Sequence, residues 1–148
     1  MKIIDASQFA DSIEEIQQAI NNASFQGALQ DCIPVCNEGF QKNFDSTQSP
    51  KGKWPPHAPY TVQKYGPHPL LILSGAMLAS VTQQGAEGRI ESVGDRDAEV
   101  GTSLFYAGFQ QFGTSKIPSR RFLWLDSPSV DAVLEVFADK AFQIVIGG

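Results

Sequence analysis

The first segment of the chain repeats apolar residues at the spacing of one helix face. Positions i, i+4, i+7 and i+11 carry large apolar side chains, and glutamate and glutamine stand between them. We expect an amphipathic helix that is capped by Asp5 or Ser7 and ends at Asn21-Asn22. Its apolar stripe consists of Phe9, Ile13, Ile16 and Ile20.

A second apolar stripe predicts a second helix. Pro34 falls inside this stripe, and proline is tolerated in the first turn of a helix, where the backbone N–H has no intrahelical partner. With Asp31 as the N-cap, we expect a helix from about Cys32 to Phe44, and we place Leu29 in the preceding loop. The full stripe consists of Leu29, Ile33, Cys36, Phe40 and Phe44.

Residues 45–69, "DSTQSPKGKWPPHAPYTVQKYGPHP", follow neither a helical nor a strand period. We interpret this segment as a long Pro-rich loop or arm. Loops of this length are uncommon in compact domains and are usually functional or disordered. Trp54 and Tyr60 argue against disorder, because large aromatic side chains gain free energy when they are buried.

The middle of the chain predicts short elements. The stretch "LLILSGAMLASV" favours the end of a strand followed by a short helix with Ser74 as its N-cap. From Val81 to Thr102 the sequence favours a strand meander. Its turns are expected at Gly85–Gly88 and at Gly94–Asp97.

The segment "YAGFQQFGTSKIPSRRFLWL" combines helical spacing with a sharp stop. The aromatic residues at i, i+4 and i+7 predict a short helix whose inner face they form, with Thr102 or Ser103 as its cap and Gly113 as its end. Pro118 then favours an extended backbone. The apolar run that follows is typical of a buried strand or coil and spans Phe122–Leu125. The aromatic face consists of Phe105, Phe109 and Phe112.

The last segment predicts one helix and one strand. Ser127 is suited to be the N-cap and Pro128 the first helical residue. "FQIVI", Phe142–Ile146, is typical of a final strand. The chain thus predicts a single α+β domain over residues 1–148, with N-terminal helices and a C-terminal helix packed on a small antiparallel β-sheet. The stripe of the last helix consists of Val130, Val133, Leu134, Phe137 and Ala141.

Composition narrows the function classes. With 11 basic and 16 acidic residues, the net charge of −5 disfavours a reader of phosphate backbones, so we expect no sequence-specific nucleic-acid partner. The N-terminal residues carry no long apolar stretch, which argues against a signal peptide and a membrane partner. Two cysteines in 148 residues do not make a disulfide framework.

One metal-site alternative stays open. Cys32 and Cys36 share a helix face, and His57 and His68 are the two histidines of the chain. Together they are a possible zinc ligand set, in a small zinc-binding or hydrolytic domain, although their spacing matches no familiar pattern. Cys36 also falls in an apolar stripe, where a buried thiol behaves as a small hydrophobic group. A small-molecule site around the aromatic cluster is a third hypothesis.

The adjacent pair Arg120-Arg121 allows two interpretations. Guanidinium groups grip carboxylates bidentately, so the pair is suited to acidic groups of a partner. Alternatively, one of the two arginines forms a salt bridge with an acidic residue of the same domain.

Four sequence blocks, in this order, resemble the phage virion morphogenesis family, the tail completion proteins of contractile-tailed and Mu-like phages and prophages. They are "FDSTQSPKGKWPP", "LLILSGAMLASV", "VGTSLFYAGFQQFG" and "IPSRRFLWL". The resemblance spans roughly Phe40 to Leu125. Where the family usually has a histidine before its Gln-Phe-Gly, this chain has Gln110, and Met77 lies where the family has a Leu-Arg pair.

The resemblance implies a structural protein rather than an enzyme, and it implies no cofactor. Such a protein completes the tail and helps to join it to the head, after synthesis in the cytoplasm of a bacterial host, and becomes part of the tail or neck of the virion. The expected partners are phage tail and head or neck proteins and other copies of the chain, for which a ring is one expected arrangement. The implied fold is α+β, like that of tail terminator and neck proteins.

This hypothesis predicts a set of subunit-interface residues. Trp54 is the expected anchor, since tryptophan is enriched at interface hot spots, and Trp54→Ala is expected to impair assembly more than folding. The full set of candidate interface residues is Trp54, Tyr60, Tyr106, Phe112, Gly113, Pro118, Arg120 and Arg121.

Overall fold

The computed structural model describes residues 5–147 and has the predicted α+β architecture, in which six helices pack with two small antiparallel sheets. The helices are α1 (Ala6–Asn22), α2 (Gln26–Ser46), α3 (Pro59–Tyr65), α4 (Ala76–Thr82), α5 (Ala107–Phe112) and α6 (Ser127–Gly147). The strands are β1 (Gln48–Ser49), β2 (Gly52–Lys53), β3 (Arg89–Val93) and β4 (Ala98–Thr102). None of the helices in this part of the chain is long and apolar enough to cross a membrane.

The two long helices, α2 and α6, pack along each other. Gly39 permits their close approach, because a Cβ at this position would lie 2.5 Å from Leu125 Cδ2 and 3.3 Å from Ser129. Further along the pair, the ring centroids of Phe25 and Phe137 are 5.8 Å apart. Each of the two helices has 21 residues and is therefore about 30 Å long.

The start of α2 differs from the prediction. The helix begins at Gln26 rather than at Cys32, so Pro34 lies in its interior. Pro34 leaves the carbonyl of Gln30 without its helical N–H donor, but Gln30 is exposed and water can satisfy that carbonyl. Burial of Ala28 and Cys32 in the first turns offsets the cost of the proline, so tertiary packing outweighs local propensity here.

The predicted final strand is wrong, because residues 142–146 continue α6. A strand needs a neighbour for its backbone N–H and C=O groups, whereas a helix pairs those groups within itself. The sheets of the described residues, β1-β2 and β3-β4, do not extend to this segment. Phe142 and Ile146 instead lie on the exposed surface of the helix.

The two sheets are hairpins. In β3-β4, Arg89 pairs with Thr102 and Val93 with Ala98, and the turn between them is the predicted Gly94–Asp97 turn. The expected meander from Val81 is wrong, since Val81 is buried in α4. Residues 45–69 are also more ordered than a loop, because they contain the β1-β2 hairpin and α3.

The core lies between α2, α4, α5 and the segment that precedes α6. Phe44 is at its centre, with its ring edge-on to Trp54 at 5.5 Å and tilted against Phe122 at 5.7 Å. Ser80, fully buried beside this cluster, donates to Met77 O at 2.7 Å and accepts from the Thr102 hydroxyl, whose Oγ1 lies 2.9 Å away. The buried apolar cluster consists of Phe40, Phe44, Trp54, Met77, Val81, Ala107 and Phe122.

The helix ends are capped partly as predicted. Asp5 Oδ1 accepts from Ser7 N at 2.9 Å, which confirms the cap of α1. At α4 the cap position is Gly75, while Ser74 Oγ accepts from Ala76 N at 3.3 Å. At α6 the predicted serine cap is wrong: Asp126 Oδ1 accepts from Ser129 N at 2.9 Å, and Ser127 is already helical.

The predicted inner face of α5 is also wrong. The helix spans Ala107–Phe112 with Tyr106 at its cap position, and Gly113 ends it as predicted. Ala107 and Gln111 are its buried residues, so the aromatic residues point away from the core. The side chain of Gln111 is held on the inner side by hydrogen bonds to the backbone of Phe122 and Leu123, which fixes the orientation of the helix. The exposed aromatic residues are Phe105, Phe109 and Phe112.

Candidate functional site

Side chains from two helices, α2 and α5, hold the extended segment 119–125 in place. Asn43 Nδ2 donates to Phe122 O at 2.8 Å and to Trp124 O at 2.7 Å. Gln111 Oε1 accepts from the backbone N–H groups of Phe122 and Leu123, each at 3.0 Å, and its Nε2 donates to Leu123 O at 3.1 Å. Two buried amides thus supply the hydrogen bonds that a neighbouring strand would supply.

Arg120 ties this segment to the proline-rich arm. Its side chain is only 7% exposed; Nε donates to Pro55 O at 2.8 Å and Nη2 to Pro56 O at 2.7 Å. Neither interpretation made from the sequence describes this arrangement, since Arg120 pairs with backbone carbonyls rather than with an acidic residue of this domain or a partner. Burial lowers the pKa of its guanidinium.

Trp54 has the same structural role, which corrects its expected role as an interface anchor. Its side chain is 4% exposed within the core cluster, and its Nε1 donates to Arg121 O at 3.1 Å. A residue buried in its own subunit cannot insert into a neighbouring one. The prediction that Trp54→Ala spares folding is therefore not compatible with its position.

A groove separates the arm from the corner that follows α5. Its volume is about 670 Å³, and it is open to solvent on one side. We call it the cationic groove, because Lys116 and Arg120 contribute to its lining and none of its lining residues within 5–147 is aspartate or glutamate. His57 and His68 also line it. Its apolar wall is formed chiefly by Leu71, Ile72, Leu73, Met77, Tyr106, Ile117 and Pro118.

Other candidate residues lie on or near the surface. Arg121 and Phe112 line a second, smaller groove of about 400 Å³ together with Lys51 and Lys53. Tyr60 is exposed on α3. Phe112, Arg121 and Tyr60 are therefore accessible to a partner, in contrast to Trp54 and Arg120.

Gly113 has a conformational role. It has φ +74°, and a Cβ there would lie 2.8 Å from Ser119 N and 2.9 Å from Ile117 O. Thr114 N donates to Ile117 O at 2.8 Å, which closes the turn that carries Pro118. Gly113 thus sets the course of the corner and does not contact a partner through a side chain.

The four proposed zinc ligands form two separate pairs. Cys32 and Cys36 lie on α2, and burial raises the pKa of both thiols, which disfavours the thiolate form that binds metal. His57 and His68 stack on each other with ring centroids 4.2 Å apart. Over residues 5–147, no group of three or more histidine, cysteine or acidic side chains is placed to hold a metal ion.

Helix α1 presents an uncovered apolar face. Its sequence-predicted stripe, Phe9, Ile13, Ile16 and Ile20, is between 42% and 60% exposed, and no residue of α1 is buried. We call these four residues the α1 stripe. Asp11, Glu14 and Glu15 flank it, and Ala6–Asn22 contains no lysine or arginine. Such a contiguous apolar surface with a charged rim is typical of a protein-interaction site.

The C-terminal end of α1 is nevertheless fixed to the body. Arg96, in the β3-β4 turn, donates through Nη2 to Ile20 O at 2.8 Å and also to Asn21 O. An arginine on the last carbonyls of a helix satisfies groups that have no intrahelical donor and complements the helix dipole. Ser24 Oγ is 2.5 Å from Asp95 Oδ1, and Phe25 N donates to Asp95 O at 2.9 Å. The apolar stripe is thus presented from a defined position.

Comparisons with protein-family models, with curated proteins and with solved structures gave no match to this chain. The resemblance to the virion morphogenesis family therefore depends on the four sequence blocks.

The four blocks meet in the core of the fold. Phe44 and Trp54 come from the first block, Val81 from the second, Ala107 from the third and Phe122 from the fourth. Gln111, from the third block, bonds to the backbone of the fourth. These residues thus have a common structural role, which is to hold α2, α4, α5 and the 119–125 segment together.

Proposed function

We propose that this chain is a structural protein of phage or prophage morphogenesis, which completes the tail and helps to join it to the head. It acts by subunit assembly, is made in the cytoplasm of the bacterial host and becomes part of the tail or neck of the virion. The observation that carries the proposal is the exposed α1 stripe, because an uncovered apolar helix face gains free energy when another protein covers it.

The resemblance of the four sequence blocks to the virion morphogenesis family is the basis for naming that family here. The meeting of the blocks in one core gives a physical reason for their order and residue types. Residues that recur in order across a family and that meet in one core, such as Trp54 and Phe122, specify a fold. This is compatible with a common scaffold whose partners are bound by its outer surfaces. The α1 stripe and the exposed Phe105 and Phe112 lie on such surfaces.

The charges support other copies of the chain among the partners. The α1 stripe has an acidic rim, whereas the second groove presents Lys51, Lys53 and Arg121 beside the exposed ring of Phe112. The two surfaces thus combine apolar area with opposite charge, which favours contact between them in neighbouring copies. A contact between the α1 stripe of one copy and the second groove of the next joins two different surfaces, so it is heterologous.

The proposal is tested by removing the coding sequence from the phage or prophage that carries it. Electron microscopy of the resulting lysate is expected to show separate heads and tails, with few joined particles. Supplying the wild-type chain from a plasmid should restore joined particles, and the chain should then be present in purified virions. Normal yields of joined, infectious particles without the chain would contradict the proposal.

A further inference from the structure

The cationic groove has the size of a ligand site. Its volume of about 670 Å³ lies within the range of about 300–1,000 Å³ that is usual for small-ligand pockets. Four separate segments form its walls: the arm at His57, residues 71–77, the start of α5 at Tyr106, and the corner at Lys116–Arg120. An apolar wall with a few convergent polar groups is the usual composition of such sites.

The buried charge of Arg120 has no counterion among the described residues. Its guanidinium carries five N–H groups and makes three hydrogen bonds, to Pro55 O, Pro56 O and, at 3.5 Å, Gln110 Oε1. Two N–H groups are therefore left without an acceptor in the described chain. Because a buried charge is costly without an opposite charge, this side of the groove is suited to an anion.

Lys116 adds a second cation on the same groove. Its side chain is exposed, and no carboxylate within residues 5–147 lies at ion-pair distance from its Nζ. His57 Nε2 lies 3.1 Å from His68 O, and His68 Nδ1 lies 2.9 Å from Gly66 O. Each ring thus donates through one nitrogen to a backbone carbonyl. The positive charge of the groove is that of Arg120 and Lys116. In a chain with 16 acidic residues, a groove lined by Arg120 and Lys116 and by no carboxylate favours a negatively charged ligand.

The apolar wall and the two remaining N–H groups narrow the chemistry of the anion. Leu71, Ile72, Met77 and Ile117 offer an apolar surface beside the cations. A single carboxylate accepts two parallel hydrogen bonds from a guanidinium, whereas a free phosphate brings more charge and no apolar surface. The groove therefore matches a carboxylate attached to an apolar body.

We propose that the cationic groove binds an organic carboxylate, with the carboxylate between Arg120 and Lys116 and its apolar part against Leu71, Ile72 and Met77. The carboxylate is either that of a free amphiphilic acid or that of an acidic side chain next to apolar residues in a partner. This site is separate from the α1 stripe, and it exists whether or not the chain completes phage tails.

Two matched pairs of probes test the site by calorimetric titration of the full chain. The first pair is octanoate and octanamide, and the second is the capped peptides Ac-Ile-Glu-Ile-NH2 and Ac-Ile-Gln-Ile-NH2. In at least one pair the acid should bind about tenfold or more tightly than its amide, because only the acid forms charge-assisted bonds. The pair that responds identifies the source of the carboxylate. Inorganic phosphate should bind more weakly than the better acid.

Substitutions then place the binding in the groove. Lys116→Glu should weaken binding of the acid about tenfold and leave the amide unchanged, whereas Lys64→Glu, on α3 outside the groove lining, should change neither. Arg120→Gln should abolish the preference for the acid, and its thermal unfolding is measured alongside because Arg120 also holds the arm. If Arg120→Gln fails to fold, Lys116→Glu still tests whether the acid binds in the cationic groove.

Three results would overturn the proposal: neither acid binds more tightly than its amide, Lys116→Glu has no effect on the acid, or phosphate binds more tightly than both acids. None of these results bears on whether particles lacking the chain remain unjoined.

Discussion

α1 and α2 follow one another in the chain and are both amphipathic, yet they have different surroundings. The apolar face of α2 is buried at Ile33, Phe40 and Phe44, against α4 and α6. The apolar face of α1 contacts α6 only sparingly and buries no residue. The two helices differ in what covers them rather than in how their residues are arranged.

The difference separates residues that stabilise the folded chain from residues that remain accessible to another protein. Residues that contribute to the stability of this chain lie around α2, and residues free to contact another molecule lie on α1, on the outer face of α5 and along the two grooves. Substitutions around α2 should therefore cause the largest losses of stability, and substitutions on α1 the smallest.

Trp54→Ala should cause the largest loss, about 3–5 kcal/mol in the free energy of unfolding, because it removes a buried ring that contacts Phe44. Chemical denaturation of the purified variant measures this loss. Tyr60→Ala, on the same arm but exposed, is the matched control and should change stability by no more than about 0.5 kcal/mol. A loss below about 1 kcal/mol for Trp54→Ala would restore Trp54 as an interface anchor.

Arg120→Gln should cost about 2–3 kcal/mol, since it removes two hydrogen bonds from a charged donor and leaves the Pro55 and Pro56 carbonyls with poorer partners. The neighbouring exposed Arg121→Gln serves as the control, with an expected change within about 0.5 kcal/mol. Equal losses from the two variants in denaturant titrations would show that Arg120 does not tie the arm to the body.

Asp126 should make stability depend on acid pH. Hydrogen bonds from Lys42 and Ser129 lower the pKa of Asp126 to about 2, from about 3.9 in an unfolded chain. The stabilisation is therefore complete above about pH 4 and is lost as the pH falls towards about 2. Because Lys42 is largely exposed and screened by solvent, the loss is on the order of 1 kcal/mol.

Unfolding measured between pH 2 and pH 5 tests this dependence. Asp126→Asn should remove this contribution, so that the difference from the wild type shrinks as the pH falls. A difference that is constant over this range would contradict the role of the charge.

Ile16→Ala should have the smallest effect, within about 0.5 kcal/mol, because Ile16 is exposed and alanine is the better helix former. Ile33→Ala is the same substitution on the buried face of α2, and it should cost about 2–5 kcal/mol. Similar losses for the two variants would show that α1 is covered in the isolated chain, and the comparison between the two helices would fail.

Sequence periodicity was sufficient for the position of α1 and for the general course of α2, because a 3.6-residue repeat depends on local geometry. Periodicity alone did not predict which face of a helix is buried. The aromatic residues of α5 have helical spacing and still point outwards, because Ala107 and Gln111 occupy the inner side. Residues 142–146 continue a helix for lack of a neighbouring strand, and no local pattern reports such a neighbour.

The candidate site was only partly predictable for a similar reason. The charge of the Arg120-Arg121 pair indicates a candidate site in the sequence. Only the fold shows that Arg120 is buried and Arg121 is exposed. Asn43 and Gln111 gave no signal as single polar residues in amphipathic segments. Their importance comes from the unpaired backbone of residues 119–125, which lies far from Asn43 in the sequence.

The central claim, that the α1 stripe is covered by another protein in the assembled particle, is tested most directly by the incorporation of α1 variants into virions. In a host lacking the wild-type copy, Ile13→Asp/Ile16→Asp is compared with Gln8→Asp/Gln18→Asp, which adds the same charge to the polar face of the same helix. Both variants should fold. We predict that the stripe variant is absent from particles and leaves heads and tails unjoined, whereas the polar-face variant is incorporated. A folded stripe variant that enters virions and joins heads to tails as well as the polar-face variant would contradict the account.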